Sequence, residues 1–511
     1  MRGELLCPMS VKLSDHFTYS KLFRFTLPTI VMMVFVSVYG VVDGFFVSNF
    51  VGETAFTAIN FVYPVLMILG AVGFMVGAGG SALIGKNLGK GRVEKANRIF
   101  SLFVYMTVVV GIASAVLAIL FLRPIVQWLG AEGQMLEDCV LYGRIILLAL
   151  PAQMLQFEFQ SFFVTAEKPK LGLWFTLSSG FTNMILDALL VAVFPCGLAG
   201  AAIATAASQL VGGVLPLVYF FRPNNSSLLH LGKTSFDGKS ILKALGNGSS
   251  EFLSNVAMSV VSMLYNMQLM EYADEPGVAA YGVLMYVNFT FLSCLIGYSV
   301  GIAPVVSYHY GAKQTEELKN VRKKSLVVVG VMSVCMLALA LALAVPVSKM
   351  FVGYNPTLEQ MTVRGFFIFS FGFLFAGISI FASSFFTALN NGLVSAIISF
   401  LRTLVFQVAA VLLLPLIFER LGGDPLDGIW LSIVVAEVVA AVVSVVFLFI
   451  KQKKIRLLKI PLRRDPSAAL RMTSYIMVAL KSFSKTDNKH RSLSWERVSL
   501  NKKLPIEGAF L

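Results

Sequence analysis

The chain has 511 residues, of which 57% are hydrophobic and 13% charged, and its mean hydropathy is +0.80. A soluble globular protein carries about 25% charged residues, so this composition leaves too little polar surface to keep such a chain in water. It excludes a soluble enzyme and a disordered scaffold. The net charge of +14 does not indicate nucleic-acid binding, because residues 451–511 alone carry +11 of it.

Residues 451–511 form a basic tail that combines 15 Lys and Arg with four acids. Such a polar segment predicts a disordered cytoplasmic extension, with contact to anionic lipid as an alternative. The five cysteines lack metal-ligand spacing, so we expect neither a disulfide framework nor a metal site, and no cofactor besides a coupling ion. The first apolar run is too long for the core of a signal peptide.

Twelve apolar runs reach the length of roughly 20 residues that a helix needs to cross a bilayer. They predict an all-α polytopic membrane protein, with some helices tilted or extending beyond the bilayer. The predicted spans are 25–50, 56–82, 99–121, 138–160, 171–194, 198–221, 245–270, 278–305, 326–345, 361–388, 393–418 and 428–450.

The loops between these spans alternate in charge. One set carries 16 basic residues, whereas the other carries few bases and several acids such as Glu53, Asp274 and Asp424. Basic loops stay in the cytoplasm, so we expect a cell-membrane protein with both termini cytoplasmic. The basic set is Lys86, Lys90, Arg92, Lys95, Arg98, Lys168, Lys170, Arg222, Lys233, Lys239, Lys243, Lys313, Lys319, Arg322, Lys323 and Lys324.

The chain repeats itself at an offset of 222 residues, which aligns Gly89 with Gly311 and Pro124 with Pro346. Each unit has six spans, so both units have the same orientation and are related by a pseudo-two-fold axis along the membrane normal. Two such bundles are typical of secondary transporters, and the absence of a P-loop motif leaves an ion gradient or a partner as the energy source. The predicted organisation is a cytoplasmic N-terminus (1–24), a first lobe (25–222), a cytoplasmic linker (223–244), a second lobe (245–450) and the tail (451–511).

Two acids lie deep within predicted spans. Asp43 and Asp187 are about 27 and 24 Å from the cytoplasmic ends of their helices, where a charge costs about 2.5–3.5 kcal/mol and therefore indicates function. Tyr39 and Asn183 precede these acids by one helical turn on the same faces, and Thr205 lies at comparable depth. This group could hold Na⁺, or its two carboxylates could share one proton.

Alternatively, these acids pair with Arg144 or Arg364, or face water. At the repeat offset Asp43 aligns with Tyr265 and Asp187 with Ala409, so the acids belong to the first lobe alone. For three further acids the sequence indicates a function less strongly. Glu251 occupies a first helical turn or a functional site, Glu437 could line a central cavity, and Glu158 is expected at the membrane interface.

Several motifs resemble the multidrug and toxic compound extrusion (MATE) family over about residues 20–450. They are Leu27-Pro28, Val42-Asp43-Gly44-Phe45-Phe46-Val47, Gly79-Gly80-Ser81, Leu88-Gly89-Lys90-Gly91, Gln160-Ser161-Phe162-Phe163, Asn183-Met184-Ile185-Leu186-Asp187, Gly197-Leu198-Ala199-Gly200-Ala201-Ala202, Pro304 and Tyr310-Gly311-Ala312-Lys313.

The resemblance implies twelve helices in two lobes and drug/cation antiport. It implies a cation site at Tyr39, Asp43, Asn183, Asp187 and Thr205, and a hinge at Pro28. The second half departs from the family pattern: Tyr308-His309-Tyr310-Gly311 replaces the usual Tyr-Asn-Tyr-Gly, and Gly248-Ser249-Ser250-Glu251 opens the seventh span without a proline. The acid that one branch of the family uses in its second lobe has no clean match in this sequence, so the resemblance does not imply coupling through the second lobe.

We expect an antiporter coupled to H⁺ or Na⁺ that exports amphipathic organic cations by alternating access. Aromatic and Met side chains facing a cavity would suit such cargo. Its expected partners are organic cations, the coupling cation and membrane lipids, without nucleic acid, and it is expected to act as a monomer. One alternative is a lipid-linked oligosaccharide flippase, which the scarcity of intramembrane bases (Arg144, Arg364, Arg402) disfavours. The other is a non-transporting membrane scaffold or sensor. No nucleophile–base pair or metal cluster indicates an enzyme.

Overall fold

A computed structural model describes residues 11–51, 53–223 and 227–457, and the predicted tail from 458 onward lies outside this range. The described chain is almost entirely helical. The α-helices are α1 Tyr19–Phe46, α2 Glu53–Gly89, α3 Val93–Trp128, α4 Gly133–Leu148, α5 Leu150–Thr165, α6 Pro169–Asp187, α7 Gly197–Phe221, α8 Gly238–Gly311, α9 Thr315–Val352, α10 Pro356–Phe369, α11 Phe373–Ala388, α12 Gly392–Phe400, α13 Gln407–Arg420 and α14 Pro425–Leu457.

Helix α8 contains two membrane spans. Its 74 residues would extend about 110 Å, far more than the roughly 30 Å of a bilayer core. Asp274 breaks the helix with a non-helical conformation, φ 50° and ψ −155°, and the turn that follows contains Pro276 and Gly277. The predicted seventh and eighth spans therefore lie on either side of this break.

The fourth span is bent by 57° between α4 and α5. Pro151 stands at the second position of α5, where its ring is incompatible with a continuous helix. The α-helix of the tenth span is also interrupted at the corresponding place in the repeat, where the 3₁₀ segment Ser370–Gly372 separates α10 from α11. With α8 counted as two spans and α4–α5 as one, the described chain has the twelve predicted spans.

Several contacts gather the predicted basic loops on one side of the molecule, which we call the basic face. The N-terminal segment joins the two lobes there. Leu13 N donates to Glu167 Oε1 (2.6 Å) in the first lobe, and Phe17 N donates to Glu317 Oε1 (2.9 Å) in the second. Leu13 and Phe17 are both fully buried. The two lobes form one compact unit that ends at Lys451.

Four glycines close the two lobes against each other at the basic face, and we call them the glycine seam. A Cβ atom on Gly89 would lie 2.0 Å from the carbonyl oxygen of Tyr308, and one on Gly248 would lie 1.9 Å from that of Met75. Such distances allow no side chain beyond hydrogen, so α2 packs directly on the backbone of both halves of α8. The seam consists of Gly79, Gly89, Gly248 and Gly311.

We expect Gly248→Ala to open the seam. An added methyl in a closely packed interface costs about 1–3 kcal/mol, and 1.4 kcal/mol is a factor of ten in an equilibrium. Opening can be measured with a single cysteine in place of Ser307, which is fully buried beside Gly85. The native cysteines are replaced first, and the rate at which the new cysteine is alkylated then reports how often the seam opens. Labelling should be about ten times faster than with Gly248 intact.

Gly246→Ala is the matched control, because a Cβ there meets nothing within 4 Å. Equal alkylation rates for the two variants would contradict the role of Gly248 in closing the seam.

The linker between the lobes ends at Asp237, which caps α8. The Asp237 carboxylate accepts hydrogen bonds from the amide (3.1 Å) and hydroxyl (2.7 Å) of Ser240, and these bonds lower the pKa of this carboxyl. A carboxyl with a lowered folded-state pKa stabilises the fold above its unfolded pKa, and this contribution is lost as pH falls through the folded value.

We expect Asp237→Ala to destabilise the first turn of α8 by about 1 kcal/mol at neutral pH. Faster amide exchange in residues 238–242 would report the loss. The difference from wild type should shrink as pH falls through the lowered pKa of Asp237, and a difference independent of pH would contradict the capping role.

Candidate functional site

Three of the predicted site residues meet inside the first lobe, each from a different helix. Asn183 Nδ2 lies 3.4 Å from Asp43 Oδ1, and Thr205 Oγ1 lies 3.5 Å from the same oxygen. Asn183 Nδ2 and Thr205 Oγ1 are 3.5 Å apart. These are long contacts, so the group is loosely hydrogen-bonded around the Asp43 carboxylate. The structure thus brings α1, α6 and α7 together at the depth that the sequence predicts.

The buried face of α6 explains this placement. Thr176, Ser179, Asn183 and Asp187 recur every three to four residues and are all buried, which is the spacing of one helical face. Gly180 lets α1 approach this face, because a Cβ there would lie 3.1 Å from Cδ1 of Tyr39. Tyr39 therefore packs against α6 beside the site.

Asp187 is the most unusual member of the group. Its side chain is fully buried, and neither carboxylate oxygen has a hydrogen-bond partner among the described residues. Its carboxyl group lies close enough to that of Asp43 for the two acids to interact directly. The buried Oδ1 of Asn183 also has no donor among the described residues, so several acceptor oxygens are grouped at this site.

The predicted arginine partners do not reach these acids. Arg144 is exposed on α4, and Arg364 forms ion pairs with Asp424 (3.7 Å) and Asp427 instead. The alternative in which arginines neutralise the site is therefore wrong for the described structure. Two carboxylates without a basic partner can share a proton, or can bind Na⁺ together with the amide and hydroxyl oxygens.

The backbone is irregular beside both acids. A π-helical segment, Val47–Val51, follows α1, and another, Ala188–Val193, follows Asp187 directly. π-helical turns are rare and are frequently found at functional sites. The acids thus stand where their helices change geometry, a feature that the sequence pattern does not predict.

Two tyrosines near the site were not predicted. Tyr142 on α4 is 4% exposed and interacts with Thr205 and both acids. Tyr63 on α2 is 53% exposed and lies within the electrostatic range of Asp43. Aromatic residues are frequent throughout the spans, so no sequence signal distinguishes these two from the tyrosines that pack elsewhere.

Pro28 lies buried inside α1, which continues through it from Tyr19 to Phe46. Its ring removes the hydrogen bond that a residue at this position would donate to Arg24. This makes Pro28 a weak point in the helix that carries Asp43, and its role as a hinge stays a prediction.

The second lobe has no acid pair at the equivalent position. Tyr265, which aligns with Asp43, is almost fully buried, stacks on Tyr281 at 5.2 Å and shares a 2.7 Å hydrogen bond with Ser432. These contacts give the Tyr265 hydroxyl a hydrogen-bond partner, and the two stacked rings occupy the position that corresponds to Asp43 in the first lobe. The two lobes therefore share a scaffold but differ at this position, as the repeat alignment predicts.

The second lobe instead contains a cavity of about 290 Å³ that Glu251, Arg402 and Glu437 line. Arg402 Nε lies 2.9 and 3.0 Å from the two oxygens of Glu437, and its Nη2 lies 2.8 Å from Oε1. Glu251 stands 13 residues into α8, so the prediction that it belongs to a first helical turn is wrong. No basic residue of the described chain forms an ion pair with it, although Arg402 acts on it electrostatically.

The sequence predicts Glu158 near the membrane interface, and the structure shows that its side chain is enclosed by the protein. Its side chain is fully buried on α5, and neither oxygen has a hydrogen-bond partner within the described residues. The glycine at position 77 allows this burial, because a Cβ there would lie 3.1 Å from Cα of Glu158. Depth along a helix does not reveal which helices cover a side chain, so the sequence does not predict this burial.

Comparison with known families assigns the chain. The MatE family model matches residues 28–189 and 252–412, once in each lobe. The chain therefore belongs to the MatE family of membrane transporters.

Among curated relatives, the multidrug export protein MepA of Staphylococcus saprophyticus is 23% identical over 451 residues, which cover 86% of this chain and 96% of that protein. MepA of Staphylococcus haemolyticus is 25% identical over 448 residues, covering 85% and 95%.

Solved structures agree with this assignment at the level of the fold. A multidrug resistance MATE transporter in its outward-facing conformation superposes with a TM-score of 0.81 at 20% identity, covering 88% of this chain and 99% of that one. A MATE protein in complex with MaL6 gives the same TM-score and identity, with 86% and 98% covered. The chain thus has the two-lobed, twelve-helix MATE fold.

Proposed function

We propose that this protein is an antiporter, driven by H⁺ or Na⁺, that exports amphipathic organic cations across the cell membrane by alternating access. The observation that carries the proposal is the pair of acids inside the first lobe, the partly exposed Asp43 and the fully buried Asp187, which no basic residue of the described chain neutralises. A cation must therefore occupy or leave this site as the environment changes. The MepA relatives, which are multidrug export proteins, support export as the direction.

The orientation follows from the loops. Basic loops stay in the cytoplasm, so the basic face is cytoplasmic and both termini lie there. The glycine seam closes this face, so the state described is closed toward the cytoplasm. Cation binding at Asp43 and Asp187 would alter the packing of α1 against α6, favouring release of cargo and return to the inward-open state. Coupling requires that ion and cargo bind the two states with opposite preference.

The second-lobe cavity is the proposed cargo site. Glu251 supplies a negative charge, while Met258, Met285, Tyr281 and Phe289 supply polarizable and aromatic walls. Aromatic faces attract cations, and methionine adapts to varied shapes. A flippase for lipid-linked oligosaccharides would need free positive charge for pyrophosphate, whereas the basic residue of this cavity is already paired with Glu437.

Efflux from liposomes tests the proposal. Purified protein is reconstituted with a lipophilic fluorescent cation on the cytoplasmic side, and a proton gradient and a sodium gradient are imposed separately. We expect one gradient to drive transport, which identifies the coupling ion. No transport under either gradient would contradict ion-coupled export of organic cations. Binding of ion and dye without transport would favour a sensor.

A further inference from the structure

Three lysines meet at the glycine seam without a carboxylate partner, and we call them the seam lysines. Lys86 lies in the last turn of α2, Lys90 follows that helix, and Lys243 lies in α8 of the second lobe. The two charged groups that act on Lys86 are Lys90 and Lys243, both positive. None of the three belongs to an ion pair within the described chain.

The backbone forces these charges together. Gly79 packs on the carbonyl of Ala244, and Gly311 packs on the carbonyl of Lys86, so the end of α2 is held between the two halves of α8. The lysines cannot separate widely without opening the seam. The Lys86 ammonium lies 4.9 Å from the centre of the Tyr310 ring, which offsets only part of the repulsion.

Exposed apolar side chains lie close along the chain to these lysines. Leu242, next to Lys243, is 73% exposed, and Phe236 at the end of the linker is 85% exposed. Leu393 is also 73% exposed, beside Gly392, whose Cβ position touches the backbone of Gly246. Large apolar side chains at the boundary of a membrane protein contact lipid. The lysines thus adjoin a surface suited to acyl chains.

We propose that the seam lysines bind the phosphate of an anionic phospholipid from the leaflet at the basic face, and that this lipid stabilises the closed seam. A phosphate group accepts hydrogen bonds from several ammonium groups at once. Basic pockets between transmembrane helices on the cytoplasmic side are a known kind of site for anionic headgroups. Because two lysines belong to the first lobe and one to the second, a single headgroup bridges the lobes only when the seam is closed. Such a lipid shifts the population toward the closed seam through its differential affinity.

The test combines lipid binding with a measure of opening. Full-length protein with a cysteine at Ser307 and the native cysteines replaced is placed in nanodiscs of phosphatidylcholine, with or without phosphatidylglycerol. We expect phosphatidylglycerol to slow alkylation of this cysteine at least threefold, and the purified protein to retain phosphatidylglycerol in native mass spectrometry. In the variant Lys86→Gln/Lys243→Gln both effects should disappear. Neither readout requires transport, so failure here leaves the proposed export untouched.

Lys170→Gln is the matched control, because Lys170 is an exposed basic residue of the same face in the turn that begins α6. It should keep the full lipid effect. An equal effect of phosphatidylglycerol on the double variant, or no effect on the starting protein, would overturn the proposal. Protection by inorganic phosphate in phosphatidylcholine equal to that by phosphatidylglycerol would overturn the assignment to a lipid. Size-exclusion profiles exclude misfolding as the cause of any change.

Discussion

Replacing Asp187 with Asn is expected to reduce gradient-driven efflux at least a hundredfold while the protein stays folded in the membrane. Asn has nearly the same shape but cannot carry the charge that a coupling cation neutralises. Among the described residues no donor reaches the carboxylate oxygens of Asp187, and the group that they interact with is the carboxyl of Asp43, to which the Asn amide can donate. Removing a buried charge from a membrane span is favourable in itself, and thermal stability should be unchanged or higher.

Glu132→Gln is the control for this variant. Glu132 is an exposed acid that precedes α4, and its side chain makes no capping hydrogen bond. The efflux rate of the Glu132→Gln variant should therefore match that of wild type. Stabilisation by the coupling ion gives a second readout, because the wild type should gain thermal stability with that ion and Asp187→Asn should not. Efflux at the wild-type rate by Asp187→Asn would remove this residue from the mechanism.

The transmembrane architecture could be predicted because apolar length and loop charge are local properties. All twelve spans occur where the sequence places them, including the break between the seventh and eighth at Asp274. The helices extend further than predicted: α9, for example, runs over Thr315–Val352, where the apolar run covers 326–345. Polar residues continue a helix beyond the hydrocarbon layer, and hydropathy does not register that part.

The first-lobe group could be predicted because each acid has a polar companion one turn away, which fixes a shared helical face. The depth of Asp43 and Asp187 then limits which helices can meet. What escaped prediction depends on helix rotation and on distant packing. Tyr142 comes to Thr205 from α4, which the sequence does not connect with the site, and the π-helical turns result from the packing of the folded lobe.

The second lobe shows this limit most clearly. Arg402 and Glu437 are 35 positions apart, in the π-helical segment Leu401–Phe406 and in α14. The sequence predicts Arg402 as an intramembrane base and Glu437 as an acid that could line a central cavity, and it predicts no pairing between them. Their pairing depends on the angle at which these helices face each other. Once paired, they carry no net charge, and Glu251 becomes the acid of the cavity that an arriving cation can neutralise.

Arg402→Gln is expected to lower the free energy of unfolding by about 3–5 kcal/mol, because it leaves the Glu437 carboxylate buried without its partner. The Glu437 side chain is 4% exposed and that of Arg402 14%, so water replaces only part of the lost contacts. The double variant Arg402→Gln/Glu437→Gln removes both charges and should recover most of this loss, since uncharged residues in place of a buried ion pair are often tolerated. SDS-induced unfolding of the purified protein measures both values. If the double variant were as unstable as Arg402→Gln, the loss would come from packing of the long arginine side chain, and the ion pair would not be what stabilises the second lobe.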